Sequence, residues 1–454
     1  MHSLRGIAQS GSAPALGAGG RRFKSCCPDQ SEQMKEKPII IIGAGLQGLA
    51  TANALLDRGE EVLLLERSSG VAQETSFANA GMLTPSHAHP WNSVDDILNI
   101  IAGIGKKDSP MLLKIGQLPS LFFWGLRFLL NSSKSKYLSN TDNICNLAQH
   151  SLDLTKNIRK QYDFKYDHSS LGTMKIFRSE SKFNKATKEA ERLSDQGLTF
   201  KILDRQEVAE QEPFLGDILD KIAGGIIFPE DETGDAYKFC KELERVVREK
   251  GGRIHVNTEV KRIHFNNKKV NSVVTDRVEI TASKVVLTSG SWVNDLLKNA
   301  EFKLPIKPVK GYSLTLDTLI LDDVPKMAVL DEAIHTAITP LGHSLRVAGT
   351  AEFAGFNEDI HQKRIDYLYQ TLESVYPSIS SNLDLDEGDL WYGFRPMSSD
   401  GMPYIGPTKI EGLSVNVGHG HLGWTLAMGS ADLLADMLLQ KETKIEAKPF
   451  LPSR

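Results

Sequence analysis

Two glycine-rich segments, one near each end of the chain, have the residue types that bind phosphate groups. The first occupies residues 37–66, KPIIIIGAGLQGLATANALLDRGEEVLLLE, with G-x-G-x-x-G spacing at Gly43, Gly45 and Gly48. The first glycine permits a tight turn, the second lets the backbone approach a pyrophosphate, and the third lets the next helix pack on the strand. Unpaired N–H groups at that helix N-terminus favour a bound phosphate. The segment therefore predicts a dinucleotide-binding turn.

Glu66 completes this first segment. The pattern predicts a strand at 38–42, a helix that ends near Gly59 and a strand at 62–65, directly before Glu66. This position is close to the ~20-residue spacing at which a carboxylate holds ribose hydroxyls. An acid there suits the unphosphorylated adenosine ribose of FAD or NAD. The alternative is a solvated acid at a strand end.

The second glycine-rich segment, LSVNVGHGHLGWTLAMGSADLLADMLL, predicts a strand, a turn and a long helix to about residue 440. Backbone amides at the start of that helix could stabilise negative charge on a reduced flavin ring. A simple strand-to-helix connection is the alternative, and His419 and His421 among the glycines make it less attractive. The predicted cofactor-binding residues of this turn are Gly418, His419, Gly420, Gly423, Trp424 and Thr425.

Two stretches of small residues supply further candidates for cofactor binding. In ETSFANAGM, hydroxyl and backbone groups could reach a cofactor diphosphate, and an ordinary capped loop is the alternative. The strand predicted at 284–287 ends in a second small-residue turn, TSGSW. The candidate residues of both stretches are Ser76, Asn79, Gly81, Ser289 and Gly290.

Two side chains are candidates for substrate contact. Arg395, in WYGFRPMSSDG, has a planar guanidinium that can hold a carboxylate through two hydrogen bonds, and a surface salt bridge is the alternative. Tyr312, in PVKGYSL, could present its phenol to a substrate or lie at the edge of the core. His87 and His89 form an H-x-H pair without a further cluster, so we interpret them as loop residues and predict no metal site.

The composition describes an ordinary soluble protein. The 454 residues carry a formal net charge of −4, with 24% charged and 41% hydrophobic residues, and nothing indicates a nucleic-acid partner. The length implies roughly two to three domains. Four cysteines without C-x-x-C spacing indicate a reducing compartment, and Cys145 and Cys240 are expected to be buried thiols.

The beginning of the chain differs in composition from the rest. Residues 1–28 contain four basic residues and no acid, without a secretory apolar core or a convincing amphipathic helix. We predict that residues 1–35 are a disordered, non-native leader, and we favour Met34 as the true start.

One apolar segment could contact a membrane. The run Leu118–Leu130 is thirteen residues long and contains Arg127, whereas ~20 apolar residues are needed to span a bilayer. Flanking lysines at positions 114, 134 and 136 would suit a helix that lies on a membrane surface. A helix packed against its own domain is the alternative.

The order of elements separates FAD from NAD. Residues 259–281 predict a meander of short strands, after which the strand at 284–287 can rejoin the first sheet. An NAD enzyme usually continues into further α/β units. The order found here resembles that of FAD-binding oxidoreductases of the D-amino acid oxidase superfamily, and this resemblance favours FAD and leaves NAD as the second choice.

The predicted fold class is α/β, with a discontinuous FAD-binding Rossmann-like domain and an α+β substrate domain that has a large mixed or antiparallel sheet. The FAD-binding segments are predicted at 36–90, 150–168, 222–305 and 391–450. The helical insertion is predicted at 91–149 and the substrate domain at 169–221 and 306–390.

Several motifs together resemble those of a known family. KPIIIIGAGLQGLATA, ETSFANAGMLTPSHAHPWN, GIIFPEDETGDAYKF, PVKGYSL, FRPMSSDGMPYIGP and NVGHGHLGWTLAMGSADLLADML are similar to segments of bacterial FAD-dependent D-amino acid dehydrogenases of the small-subunit type. These enzymes belong to the D-amino acid oxidase superfamily. The similarity runs from about residue 36 to the end, and it is less clear in the middle segments that shape the substrate pocket.

The resemblance implies oxidative deamination of D-amino acids to 2-oxo acids and ammonia, with electrons passed to a quinone or another acceptor. It implies that Arg395 binds the amino acid carboxylate and that the Val260 backbone contacts the adenine. Related sarcosine oxidases attach flavin through a C-terminal cysteine, and no cysteine follows Cys240, so noncovalent FAD is expected. The expected location is the cytoplasm, with peripheral contact at the inner face of the cell membrane as an option.

Three alternatives remain open at this point. An oxidase of glycine, sarcosine or proline would share these motifs and produce hydrogen peroxide. A non-catalytic module would bind FAD without oxidising a substrate. An NAD-linked dehydrogenase would bind nicotinamide instead.

Overall fold

A computed structural model describes residues 37–92 and 111–454 of the chain. The predicted leader, residues 1–35, lies outside the described residues. So does the 93–110 part of the predicted helical insertion.

Strands and helices are numbered here in chain order. The strands are β1 Ile39–Ile42, β2 Val62–Leu65, β3 Met82–Leu83, β4 Met111–Leu113, β5 Thr173–Phe177, β6 Lys201–Leu203, β7 Gly224–Phe228, β8 Glu232–Thr233, β9 Arg253–His255, β10 Val260–Asn266, β11 Lys269–Thr275, β12 Glu279–Thr281, β13 Val285–Leu287, β14 Ile306–Asp317, β15 Ala328–Asp331, β16 Thr336–Leu341, β17 Ser344–Phe353, β18 Asp389–Ser398, β19 Tyr404–Pro407 and β20 Leu413–Val417. The helices are α1 Leu46–Leu56, α2 Leu118–Leu130, α3 Lys134–Tyr162, α4 Glu180–Ser194, α5 Arg205–Gln211, α6 Ala236–Glu249, α7 Val293–Leu296, α8 Gln362–Val375, α9 Pro377–Ser380 and α10 Ala427–Leu438.

The first sheet has six strands in the order β19-β20-β13-β1-β2-β9. β1 consists of four buried isoleucines, which pack on helices α1, α6 and α10 on one face and on the β10–β12 meander on the other. β1 pairs in parallel with β2 and with β13, so the predicted return of the 284–287 strand to this sheet is confirmed. The carboxyl ends of these parallel strands share one edge, where a dinucleotide is expected to bind.

The second sheet is the predicted large mixed sheet. It has nine strands, with β18-β14-β17-β16-β15-β5-β7-β6 in order and β4 paired to β17. The β15–β5 and β17–β4 pairs are parallel, whereas the long strands β14, β17 and β18 pair antiparallel. Helix α8 covers one face with Ile365, Leu368 and Leu372 in its core. The predicted fold class is therefore confirmed.

The observed elements differ from the predicted segments at three places. β7 and β18 fall in segments predicted to be FAD-binding, but both belong to the second sheet. Helix α3 runs unbroken across the boundary predicted between residues 149 and 150. Helix α10 begins at Ala427, after a 3-10 turn at Gly420–Leu422, so the predicted helix starts later than its glycine-rich turn. Strand partners depend on tertiary contacts, which local patterns do not contain.

The structure also tests the predictions for the apolar helix and for the two cysteines. The Leu118–Leu130 helix is confirmed with its predicted bounds. Over residues 37–92 and 111–454, no helix is both long enough and apolar enough to cross a membrane. Cys145 and Cys240 are buried free thiols, as predicted.

Candidate active site

The first glycine-rich turn adopts a conformation that its glycines make possible. Gly43 has φ +104°, a left-handed conformation that favours glycine. A Cβ on Gly48 would lie 1.8 Å from the Gly43 carbonyl oxygen, so α1 can approach the turn only with glycine at position 48. The Thr288 hydroxyl donates to the carbonyls of Ile42 and Gly43 at 3.0 and 2.9 Å. The TSGSW turn after β13 therefore fixes the dinucleotide-binding turn.

Glu66 lies beside this turn, as its spacing predicts. Its Oε2 accepts a hydrogen bond from the Ala44 N–H at 2.8 Å, and its Oε1 accepts one from the Ser68 N–H at 2.8 Å. The carboxylate is buried but lines the cavity. Each oxygen keeps a further lone pair, so Glu66 can still accept a ribose hydroxyl.

One cavity of about 1650 Å³ connects the dinucleotide-binding turn with the second sheet. Most of the residues predicted from sequence line it, including Val260 at the start of β10. Gly48, Gly81 and Gly418 do not line the cavity. Gly81 and Gly418 instead allow left-handed backbone conformations, with φ +70° and +83°. The predicted residues that line the cavity are Gly43, Gly45, Glu66, Ser76, Asn79, Val260, Ser289, Gly290, Tyr312, Arg395, His419, Gly420, Gly423, Trp424 and Thr425.

The two glycine-rich segments meet at this cavity. Gln47 Nε2, on α1, donates to the Gly423 carbonyl at 2.7 Å. The Thr84 N–H donates to the Thr425 hydroxyl at 3.1 Å. The Ser76 hydroxyl accepts from the Leu46 N–H at 3.1 Å, at the N-terminus of α1.

The loop that carries Asn79 is built from turns. The Asn79 side chain accepts from the Gly81 N–H at 3.0 Å and holds that turn. The loop leads directly into β3. Asn79 therefore shapes the loop, and its contact with a cofactor stays a prediction.

Several buried polar atoms at the cavity have no hydrogen-bond partner among the described residues. They are both ring nitrogens of His419, Trp424 Nε1, Ser289 Oγ and Gln47 Oε1. Burial lowers the pKa of His419 to about 3, so the imidazole is neutral at pH 7. Buried polar groups normally have partners, so these atoms indicate an extended polar ligand with donors and acceptors. A flavin dinucleotide has groups of this kind along its length, and the residues present fit it.

Arg395 lies on β18 at the wall of the same cavity. Its Nη1 donates to the Thr350 carbonyl at 2.8 Å, and none of the described acids forms a salt bridge with its guanidinium. Thr350 has φ +61° and stands at an irregularity in the β14–β17 pairing, which turns its carbonyl toward Arg395. Burial lowers the pKa of Arg395 to about 10, so it stays cationic at pH 7. The remaining N–H donors can hold a carboxylate.

The structure favours the alternative interpretation of Tyr312, a residue at the edge of the core. In the β14–β18 register, Val309 pairs with Arg395 and Gly311 pairs with Gly393. Since successive side chains of a strand point to opposite faces, Tyr312 faces away from Arg395. The Tyr312 hydroxyl donates to buried Glu352 at 2.8 Å, and the residue also belongs to the lining of the cavity. Tyr312 is therefore a core residue, the alternative that the sequence left open.

Sequence reasoning assigned no substrate role to four basic side chains that line the cavity. They are His87, His89, Lys175 and His421, and the first two were interpreted as loop residues. The available signal was Lys175 itself, a lone cation in the otherwise apolar strand TMKIF. Among the described side chains, no cluster of three or more His, Cys, Asp or Glu could hold a metal ion.

A dinucleotide-binding turn that opens into a cavity with an unpaired guanidinium is typical of oxidoreductases that act on small carboxylic acids. Comparison with known proteins identifies the family. A family model described as FAD dependent oxidoreductase (DAO) matches residues 38–437. The chain belongs to this family, and FAD rather than NAD is its cofactor.

Individual relatives have the same extent as this chain. A D-amino acid dehydrogenase of Rhizobium johnstonii is 34% identical over 416 residues, 92% of this chain and 99% of the relative. One of Vibrio atlanticus is 33% identical over 409 residues, 90% of this chain and 97% of the relative. The solved structure of glycine oxidase from Geobacillus kaustophilus is similar with a TM-score of 0.73 at 22% identity, over 92% and 98% of the two chains.

Proposed function

We propose that the protein is an FAD-dependent dehydrogenase that deaminates D-amino acids to 2-oxo acids and ammonia. The observation that carries this proposal is Arg395, a cation without a described acidic partner, in the cavity that also contains the dinucleotide-binding turn. The relatives named D-amino acid dehydrogenase support the choice of substrate class.

The residues have separable roles in this reaction. FAD, when bound, would supply the acceptor for the hydride that leaves the α-carbon. The amine gives up a proton to solvent, and water then hydrolyses the imine to the 2-oxo acid and ammonia. Arg395 holds the substrate carboxylate, which fixes the α-carbon and the amine in one orientation. Neutral His419 and the Trp424 N–H are available as hydrogen-bonding groups for the cofactor. The glycine-rich turns and Glu66 hold the diphosphate and the ribose, and noncovalent attachment is proposed because neither Cys145 nor Cys240 lines the cavity.

The test is an anaerobic titration of the flavin-containing protein with paired D- and L-amino acids, followed by flavin absorbance. We expect bleaching by D-amino acids and weaker substrate binding, by about 10- to 100-fold, in Arg395→Leu. Arg245→Leu, at an exposed arginine of α6, is the matched control and should behave as the wild type. A flavin that no amino acid bleaches would overturn the proposal. Rapid reoxidation by oxygen with hydrogen peroxide would identify an oxidase instead.

We also propose that helix α2 rests on an anionic membrane surface at the inner face of the cell membrane, where a quinone accepts the electrons. Trp124 and Phe128 pack inward, whereas Phe122 and Phe123 are 65% and 76% exposed. Four leucines of the helix, Leu118, Leu126, Leu129 and Leu130, are exposed as well. Single exposed apolar residues are normal on a protein surface, whereas these residues are grouped on one helix. Such a group is typical of an interaction site.

The charge around α2 supports an anionic lipid surface. From residue 111 to residue 141 the sequence contains Lys114, Arg127, Lys134 and Lys136 but no Asp or Glu. Basic residues beside an apolar helix face are the pattern of helices that lie in a membrane interface.

Vesicle sedimentation tests this surface. Phe122→Glu and Phe123→Glu should reduce binding to vesicles that contain anionic phospholipid, and quinone-linked turnover should fall with it. Leu319→Glu and Ile320→Glu are matched controls, because these side chains are 66% and 73% exposed but lie in the loop after β14. Unchanged sedimentation of the α2 variants would contradict membrane contact without affecting the deamination proposal.

A further inference from the structure

One part of the cavity wall is basic, and the proposed deamination does not account for it. It consists of Lys175 on β5, His87 and His89 after β3, and His421 in the second glycine-rich turn. We call these four residues the basic wall. They come from three separate parts of the chain, so the fold and not the local sequence brings them together.

Lys175 is directed into the cavity by strand alternation. Its neighbours Met174 and Ile176 are buried in the core of the second sheet, so Lys175 lies on the opposite face. Its Nζ donates to the Ser86 carbonyl at 3.4 Å and lies 5.2 Å from the centroid of the Phe228 ring. No acid of the described chain forms a salt bridge with it. A desolvated cation with one long hydrogen bond is unfavourable unless a ligand supplies an anion.

Asp231, an acid near Lys175, already accepts hydrogen bonds from other side chains. Asp231 accepts hydrogen bonds from the Ser86 hydroxyl at 2.5 Å and from the Thr173 hydroxyl at 2.6 Å. Burial raises the pKa of Asp231 to about 6, and Lys175 opposes this rise only from a distance. Asp231 therefore supports the loop at Ser86 and does not neutralise the Lys175 ammonium by contact.

The three histidines add hydrogen-bonding groups without adding charge. Buried His87 Nε2 and His89 Nδ1 have no hydrogen-bond partner among the residues described. Burial, and then the charge of Lys175, lowers the pKa of both rings far below the ordinary value, so they are neutral at pH 7. Neutral imidazoles can donate an N–H to an anion that Lys175 attracts.

His421 is the fourth member of the basic wall. Its ring stacks on Trp91, with 5.1 Å between centroids and 24° between planes. Burial is the main reason that its pKa falls to about 3, and the charges of both Arg395 and Lys175 contribute. Lys175, His421 and Arg395 line the same cavity, so an anion held by the basic wall would share that cavity with the proposed carboxylate site.

We propose that the basic wall binds a second anionic group of the substrate, so that the protein prefers D-amino acids with a side-chain carboxylate. This inference rests on the proposed deamination of D-amino acids. Arg395 holds the α-carboxylate, and Lys175 with the neutral histidines receives the carboxylate of the side chain. Lys175 is a specificity-determining residue in this arrangement and takes no part in the oxidation.

The test compares D-glutamate with D-glutamine, which has nearly the same shape without the side-chain charge. The shorter D-aspartate and the longer D-2-aminoadipate then show how far the second anion site lies from the α-carboxylate site. Anaerobic flavin reduction should give D-glutamate or one of its homologues a kcat/KM at least about 10-fold above that of D-glutamine, mainly through KM. Lys175→Met should remove this preference, so that the ratio of kcat/KM for D-glutamate to that for D-glutamine falls toward 1. Lys175→Arg should retain part of it.

The outcomes separate this inference from the proposed function. If neutral D-amino acids are preferred, and Lys175→Met leaves the acid-to-amide ratio unchanged, the second anion site is wrong while deamination stands. If no D-amino acid of either kind reduces the flavin, the proposed function fails and the inference fails with it. The flavin content and thermal unfolding of Lys175→Met show whether that variant is folded.

Discussion

The guanidinium of Arg395 lies directly over Gly311 on the neighbouring strand. A Cβ built on Gly311 would stand 2.1 Å from Nη1 and 2.4 Å from Cζ of Arg395. The missing side chain thus provides the space in which the arginine crosses β14 to reach the cavity. Gly311 is consequently part of the carboxylate site, although it has no functional group of its own.

Gly311→Ala should displace the Arg395 guanidinium and disturb substrate binding while FAD remains bound. A displacement of about 1 Å can reduce reaction rates about 100-fold, and we expect a loss of that order in kcat/KM for D-amino acids. Steady-state kinetics and flavin content together measure the effect. Gly216→Ala is the matched control, since nothing lies within 4 Å of a Cβ there. Wild-type kinetics in Gly311→Ala would contradict the role of Arg395.

Gly48→Ala should destabilise the protein and reduce its flavin content. The added Cβ would lie 1.8 Å from the Gly43 carbonyl, so α1 or the turn must shift, at a cost of about 3 kcal/mol in the free energy of unfolding. Denaturant unfolding and flavin absorbance measure both effects. Gly125→Ala, in helix α2 with open space around it, should be neutral or slightly stabilising.

Glu66→Gln should weaken FAD binding. The carboxylate accepts hydrogen bonds from the Ala44 and Ser68 N–H groups, and an amide presents only one acceptor oxygen in place of two. We expect the Kd for FAD to rise about 10-fold, measured by titration of the apoprotein. Glu61→Gln, at an exposed position before β2, is the control. An unchanged Kd would show that Glu66 stabilises the dinucleotide-binding turn without contributing to FAD binding.

The preference for acidic substrates should decrease above pH 8. Burial lowers the pKa of Lys175 to about 8, although the nearby acids Asp231, Glu332 and Glu189 raise it. His87, His89 and His421 are neutral throughout this range. Lys175 loses its proton as the pH rises through 8, so the D-glutamate to D-glutamine ratio of kcat/KM should fall there. In Lys175→Met the ratio should not change with pH.

The same lysine should make the stability of the protein depend on pH. Its pKa is about 8 in the folded protein and 10.5 as the ordinary value, so the unfolded chain binds more protons between these limits. Stability should therefore rise with pH across this window, and below pH 8 the full cost of the buried charge is present. Lys175→Met should raise the free energy of unfolding at pH 7 by up to about 3 kcal/mol, and by less at pH 10. Unfolding curves at the two pH values test this.

The dinucleotide site could be predicted from sequence because its signals are local. The spacing of Gly43, Gly45 and Gly48, and the position of Glu66 after a strand, follow from one β-α-β unit whose geometry is nearly fixed. The second turn was also found, because glycine and histidine together between a strand and an apolar helix are unusual. Its helix starts later than expected because a 3-10 turn intervenes.

The substrate side could be predicted only in part, because it depends on register and on contacts between distant segments. Arg395 and Tyr312 both stand in strands, and only the pairing of β14 with β18 shows that they face opposite ways. Lys175 and His421 are far apart in sequence, and a sequence pattern does not state that they share a cavity.

The hydrogen bonds that join the two glycine-rich segments have a consequence for how the protein is made. The Gln47–Gly423 bond spans 376 positions, and the Thr84–Thr425 bond spans 341. Contacts of such high sequence separation form late, because long stretches of chain must first be ordered. During synthesis the flavin cavity therefore cannot close until almost the last strand and helix have left the ribosome. A chain stalled before that point has the first turn but no complete cofactor site, and it exposes the apolar faces that the last segment would cover.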